Sequence, residues 1–345
     1  MKSSYPVFPI KAGLIITNRC LYQCKHCYVS SNETKYHELD TRTWCNIIDE
    51  LERAGIFEVY VGGGEPFVRS DSYAILKHAL KKNLDVGTST NAAILNAEKA
   101  ERIPRDVHVQ VSLDGIGEKH EAIRGIGTYG STMRGIQALL KLGRDITIAT
   151  TVNRYNMNHL DVLHNTIRQL GIKSWHIIRP MPCGRALRNW DIFSFSNQEW
   201  IETVRRLTKL SEIDESMKFS IDKTFDIDRM DKIEPRHADM FWPDMDEMCI
   251  LPNGDIVTCD LLMHEHRYVI GNILQVSDLW ELWKNSQVIR ILLTSIAKIS
   301  GKCRHCRLFY LCKGGSRYVA EELLNDPYAP DPMCPHEPPK YVSYK

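Results

Sequence analysis

The chain has 345 residues, 43% of them hydrophobic and 25% charged, with a formal net charge of +1. This length and apolar content suit one large domain with a full core and a smaller appendage. The near-zero charge leaves no electrostatic footprint for nucleic acid or an anionic membrane, and no apolar run reaches the length of a signal peptide or a membrane span, so the expected location is the cytoplasm.

From about residue 12 to 182 the sequence alternates between strand-like and helix-like segments. The strand-like runs are 13–17, 57–63, 84–90, 107–115, 146–153 and 174–180. Between them, apolar residues recur at helical spacing. Trp44, Ile47, Ile48 and Leu51 follow the cap Asp40, and Tyr73, Leu76 and Leu80 follow Ser70. A short helix near Ala97–Arg102 stops before Pro104, and longer ones carry Ile136 and Leu139, then Leu163 and Ile167. Six β/α units joined by right-handed crossovers imply parallel strands. Six are too few for a closed eight-stranded barrel, so the fold expected is α/β: a partial, open (β/α)6 TIM-like barrel over 1–211, ending in a helix with Trp200 and Leu207. The charged, irregular stretch 212–245 reads as a bridge. Within 246–345, residues 249–259 read as a hairpin turning at Asn253-Gly254, and 278–293 as helical. The tail from Gly301 is poor in apolar periodicity and rich in Cys, Gly and Pro, so a metal is expected to hold its shape.

Eleven cysteines is a high count, and they cluster. In a reducing compartment clustered cysteines point to metal or catalysis. Cys20, Cys24 and Cys27 follow the first strand as CxxxCxxC. Three thiolates can hold a four-iron cluster with one iron left open to a ligand; the alternative is a zinc knot completed by His26 or a distant residue.

This motif, with His26 before its last cysteine, resembles the signature of the radical S-adenosylmethionine (SAM) superfamily. The resemblance extends along the barrel. Gly63-Gly64-Glu65 is similar to the family's GGE motif, which implies contact with the SAM amino group. Ser89 and Asn91 fall where the family contacts ribose and carboxylate, and the stretch 111–129 is similar to the SPASM branch, placing Ser112 and Arg124 near SAM. All lie at C-terminal strand ends, where parallel barrels gather their sites. The resemblance implies SAM and a [4Fe–4S] cluster as cofactors, with reductive cleavage of SAM to a 5′-deoxyadenosyl radical that takes a hydrogen atom from the substrate. It also implies a flavodoxin- or ferredoxin-type electron donor.

The tail resembles the SPASM auxiliary iron–sulfur domain. Gly254-x4-Cys259 and 303-CRHCRLFYLC-312 fit its pattern, but its next cysteine falls on Ser316. The family's crossed ligation implies one complete auxiliary [4Fe–4S] site on Cys303, Cys306, Cys312 and Cys334, with a structural zinc as the alternative. Cys249 and Cys259 are then free core thiols, a facing pair, or ligands of a labile cluster completed by His264 or His266.

Two cysteines stand apart. Cys45, beside Trp44, reads as a small buried hydrophobe. Cys183 follows the sixth strand, which puts it at the barrel mouth, either as an inert loop cysteine or as a thiol that returns a hydrogen atom to a substrate radical. Arg179 and Arg185 nearby are candidates to hold a carboxylate or peptide carbonyl, or are solvated surface residues. The branch implies a ribosomally made peptide substrate, modified by epimerisation or cross-linking; the alternatives are a sugar- or aminocyclitol-like molecule, a tetrapyrrole, or a non-catalytic Fe–S or zinc protein. Only nineteen residues precede Cys20, so any peptide-recognition domain is expected to be a separate protein.

Overall fold

The computed structural model describes residues 8–222, 244–245 and 247–337. Six parallel strands form as the periodicity predicts: β1 Lys11–Thr17, β2 Glu58–Gly63, β3 Asp85–Thr90, β4 His108–Ser112, β5 Ile146–Thr151 and β6 Ser174–Ile178. Helices on the outer face connect them. Helix α1 (Thr41–Arg53) starts where Asp40 accepts a hydrogen bond from the Thr43 backbone N–H at 2.8 Å. Its Trp44, Ile47, Ile48 and Leu51 are buried against the sheet, as the spacing demands. Helices α2 (Ser72–Leu80) and α3 (Ala97–Arg102) follow, with α4 (Glu118–Arg124), α5 (Thr128–Lys141) and α6 (Leu160–Gln169) after them. Asn96 caps α3, which ends at Ile103 before Pro104. Cys45 lies at the edge of the buried face of α1 and is half-buried, which corrects the expectation of a core position.

After β6 come the short helices α7 (Gly184–Arg188) and α8 (Trp190–Phe193), then α9 (Asn197–Ile213), opened by a capping box between Ser196 and Glu199. A further parallel strand, β7 (Lys218–Ile221), pairs with β6. It lies within the stretch read as a bridge, most of which falls outside the described residues. Four half-exposed residues are too few to show a period of two.

The predicted hairpin is present as β8 (Met248–Ile250) and β9 (Asp255–Val257), with Gly254 at φ +88° in its turn. It is not separate from the barrel. β8 pairs in parallel with β1 through Ala12–Met248, Gly13–Cys249 and Leu14–Ile250. With the two-residue β10 (Gly271–Asn272), this gives one open ten-stranded sheet, ordered β10-β9-β8-β1-β2-β3-β4-β5-β6-β7. Beyond it lie α10 (Leu279–Asn285) and α11 (Gln287–Lys298), split at Ser286, whose hydroxyl caps the second. The tail carries α12 (Phe309–Cys312) and α13 (Arg317–Leu324). Among the described residues no helix is long and apolar enough to cross a membrane.

Trp44 is fully buried in the main core. Trp44→Ala is expected to cost about 3–5 kcal/mol, read as a lower urea midpoint; a loss under about 1 kcal/mol would show that α1 does not carry this flank of the sheet.

Candidate functional site

One cavity of about 370 Å3 opens at the C-terminal ends of the strands, and it gathers most of the sequence-predicted residues. Cys20, Cys24 and Cys27 line it with Gly63, Gly64, Ser89, Asn91, Ser112, Arg124 and Cys183. Glu65 stands apart, behind the wall.

The three cysteines sit on a loop between β1 and α1, and buried polar groups hold that loop. Asn91 Nδ2 donates to Cys20 Sγ at 3.6 Å, and Arg124 Nη1 points at Cys24 Sγ at 3.9 Å. The Arg124 Nε donates to Asp114 at 2.7 Å and its Nη2 meets His26 Nε2 at 3.2 Å. Burial works against the Arg124 charge, but the Asp114 carboxylate outweighs it and keeps the guanidinium firmly protonated. His26 goes the other way: burial, helped by the Arg124 charge, lowers its pKa to about 4, so it is neutral.

Arg185 grips the same loop from the opposite side. It donates to Cys24 O at 2.8 Å, Ser31 O at 2.8 Å and Ser31 Oγ at 3.1 Å. Arg179 donates to Met333 O and Asn197 Oδ1, both at 2.9 Å. Both arginines are buried, which corrects the expectation of solvated surface residues. Arg185 is committed to protein acceptors, whereas Arg179 lines the main cavity and, among the described residues, its Nε has no hydrogen-bond partner.

Glycines are obligatory where β2 ends. A Cβ on Gly63 would lie 2.2 Å from Thr17 O, and one on Gly64 would lie 2.4 Å from Arg19 O. The residue after them, Glu65, is fully buried; its carboxylate accepts from Thr90 Oγ1 at 2.8 Å, Asn91 N at 2.8 Å and Phe67 N at 3.3 Å. It therefore fixes the end of β3, and with it Asn91. Ser89 hydrogen-bonds Tyr60 at 2.8 Å and Gln110 at 3.1 Å, making a polar floor of which sequence reading found Ser89 but missed Tyr60 and Gln110, since neither belongs to a motif.

Cys183 caps α7 and is 1% exposed within the cavity wall. Burial pushes its thiol pKa well up. A Cβ on the next residue, Gly184, would lie 2.4 Å from Tyr28 O, so the cysteine loop packs directly against this turn.

A second, small cavity in the tail is lined by Cys303, Cys306, Cys312 and Cys334 together with Lys302 and His336. Burial pushes Cys303 up to about 12 and Cys312 up to about 11. Cys249 lies elsewhere, in an apolar cluster with Ile15, Val29 and Leu251. His264 is hydrogen-bonded to Tyr28 O, and His266 is exposed. Ser316 Oγ donates to Asp244 at 2.7 Å. Among the described residues no three Cys, His, Asp or Glu side chains converge on a single-ion site.

The sequence profile of the radical SAM superfamily matches residues 14–167, and that of an iron–sulfur cluster-binding domain, SPASM, matches 243–307. The mycofactocin maturase MftC of Mycobacterium ulcerans is 30% identical over 94% of this chain and 88% of its own length. This chain is a radical SAM enzyme of the SPASM subfamily. The AdoMet-dependent heme synthase of Oleidesulfovibrio alaskensis is 28% identical over 94% of this chain and 87% of its own. Among solved structures, Streptococcus suis SuiB bound to its precursor peptide SuiA superposes with a TM-score of 0.82 at 16% identity, over 95% of this chain and 76% of SuiB. AdoMet-bound anSMEcpe gives 0.72 at 17% identity, over 94% of both chains. As a member of this subfamily the enzyme uses SAM and a [4Fe–4S] cluster, and its C-terminal domain is of the auxiliary iron–sulfur type.

Burial raises the Glu65 pKa from 4.5 to about 7. A folded value above the unfolded one means that the native chain keeps a proton which the unfolded chain releases, so this group's contribution to stability is fullest below about pH 4.5 and declines as pH rises towards 7. In metal-free protein, Glu65→Gln should therefore gain stability relative to wild type as pH rises through that window, measured by urea midpoints. A difference that stays constant with pH would show that Glu65 is ionised in the folded chain throughout.

Proposed function

We propose that Cys20, Cys24 and Cys27 hold a [4Fe–4S] cluster beside a SAM site in the main cavity, that Cys303, Cys306, Cys312 and Cys334 hold one auxiliary [4Fe–4S] cluster, and that the enzyme modifies a ribosomally made peptide by epimerisation or cross-linking. The observation that carries this is the convergence of the three thiols with Gly63, Gly64, Ser89, Asn91, Ser112, Arg124 and Cys183 on one cavity. The residues fit the groups. Cys24 is held at a pKa of about 12 by burial, so a metal rather than solvent must draw off its proton.

When bound, the reduced cluster would supply one electron to the sulfonium of SAM, and SAM, losing methionine, would supply the radical that takes a hydrogen atom from the substrate. The protein supplies position and exclusion of water. Asn91 and Arg124 hold two of the cluster thiols from the cavity side, while Glu65 fixes Asn91 from behind. The bare backbone at Gly63-Gly64 lets a ligand approach closely. Ser89 and Ser112 offer hydroxyls to a polar ligand.

A peptide substrate is supported by the fold shared with SuiB, itself seen bound to a precursor peptide, and by the similarity to the mycofactocin maturases. The heme synthase relatives favour tetrapyrrole chemistry as a second reading. A flavodoxin- or ferredoxin-type protein is the proposed source of electrons, and a separate peptide-recognition protein the proposed partner in a peptide reaction.

Replacing Cys20, Cys24 and Cys27 together by Ala should abolish 5′-deoxyadenosine formation yet leave about four irons per chain, against about eight in reconstituted wild type. 5′-Deoxyadenosine from the triple variant would sink the central assignment. Iron near twelve in wild type would restore Cys249 and Cys259 as ligands despite Ser316.

The buried, protonated thiol of Cys183 is proposed as the hydrogen donor if the outcome is epimerisation; the thiyl radical left behind would regain its S–H by one electron from the flavodoxin- or ferredoxin-type donor and one proton from solvent. Cys183→Ala should still cleave SAM and abstract substrate hydrogen, but lose the inverted product. In heavy water, deuterium should then enter the inverted carbon with wild type alone. Normal product at a normal rate from Cys183→Ala would remove the thiol from the reaction and move the weight to cross-linking.

A further inference from the structure

The auxiliary cavity contains a group that the ligand set does not use. His336 lines it beside Cys303, Cys306, Cys312 and Cys334. Its ring Nε2 is shut off from solvent and, among the described residues, has no hydrogen-bond partner. A buried imidazole nitrogen left unpaired is unfavourable, and such atoms in native folds call for an explanation. The residue lines a cavity walled by four thiols, so what fills that cavity is the natural partner for the unpaired nitrogen. The residue is also held in place, because its backbone N–H bonds the Cys334 thiol. Lys302, the other polar side chain in the wall, is already engaged: its ammonium donates to Cys334 O at 3.0 Å and to Glu337 at 2.9 Å.

We propose that His336 is a positioning and tuning residue of the auxiliary site, with its Nε2–H donating a hydrogen bond to a sulfur of the cluster. This rests on the reading of the four cysteines as ligands. With all four thiolates given to iron, the cavity presents only sulfur acceptors, so the imidazole must enter as the donor, in its Nε2–H tautomer. A donor aimed at sulfur withdraws electron density and favours the more negative, reduced state of the cluster. His336 thus makes the auxiliary cluster easier to reduce, without being one of its ligands.

The test uses full-length protein carrying Cys20, Cys24 and Cys27→Ala, so that the auxiliary cluster is observed alone. Iron content and an EPR-monitored redox titration are compared for this parent and for its His336→Phe and His336→Gln derivatives. His336→Phe keeps a ring but loses the donor. It should retain about four irons, and at the parent's midpoint potential its ratio of oxidised to reduced cluster should rise about three- to tenfold. An exchangeable deuteron coupled to the reduced cluster after transfer to heavy water should be present in the parent and absent from His336→Phe. His336→Gln keeps an N–H donor and should recover part of the shift. An unchanged midpoint with the coupling intact overturns the proposal. Loss of iron from both variants also overturns it, making His336 a ligand or a scaffold instead. A parent that binds no iron overturns the auxiliary-site reading itself, a failure separable from the others by its iron content.

Discussion

Two buried guanidiniums, Arg124 and Arg185, hold the cysteine loop between β1 and α1 from opposite sides, and the site depends on that grip. The loop has no helix or strand of its own at Cys20, Cys24 and Cys27, so its shape comes from side chains far away in sequence. Arg124 arrives from the end of α4, paired with Asp114; Arg185 arrives from α7 and donates to two loop carbonyls, the Ser31 hydroxyl and the Glu33 carboxylate. A buried charge without partners is costly, so each arginine locks the loop to the point on the barrel where its acceptors converge. Closure of β4 and β6 into one sheet is therefore what positions the three thiols.

The same economy joins the C-terminal domain to the barrel. β8 adds to the free edge of β1, which would otherwise expose a row of unpaired backbone groups. At the other side Arg179 and Asn197 reach from the barrel to the carbonyls of Pro332, Met333 and Cys334. Ser316, standing where the SPASM pattern has a cysteine, is bound into a carboxylate post. Its hydroxyl bonds Asp244 Oδ1, while Oδ2 accepts the backbone N–H groups of Arg317 and Tyr318 at the start of α13. These hydrogen bonds tie the N-terminus of α13 to Asp244.

What the sequence made legible was what short-range pattern encodes. The six β/α units carried long apolar periods, Asp40 and Asn96 announced helix starts, and CxxxCxxC and CxxCx5C placed thiols at fixed spacing. Long-range partners were not legible. Nothing near Arg179 or Arg185 in the chain tells that their acceptors lie at Met333 or Ser31, more than a hundred residues distant. The edge pairing of β8 with β1, the short β7 and the helix α13 within a cysteine-rich tail were missed for a related reason: each is stabilised by what it docks against more than by its own period. Glu65 was legible as a motif residue, but its carboxylate bonds inward to Thr90 and Asn91, a direction that only the fold determines.

Burial acts in the same direction on Cys24 and Cys183, yet their proposed roles require opposite protonation states. A cluster ligand must be a thiolate, whereas a hydrogen-atom donor must keep its S–H bond. Desolvation raises the pKa of Cys24 to about 12 and that of Cys183 still more firmly upward. For Cys24 a bound cation reverses the outcome, because metal coordination stabilises the thiolate directly. For Cys183, no metal-ligand spacing includes it, and the nearby charges that act on it, those of Asp260 and Cys27, are negative and reinforce the S–H form. Under this proposal a single physical environment, the cavity at the strand ends, separates the two kinds of cysteine by whether iron reaches them.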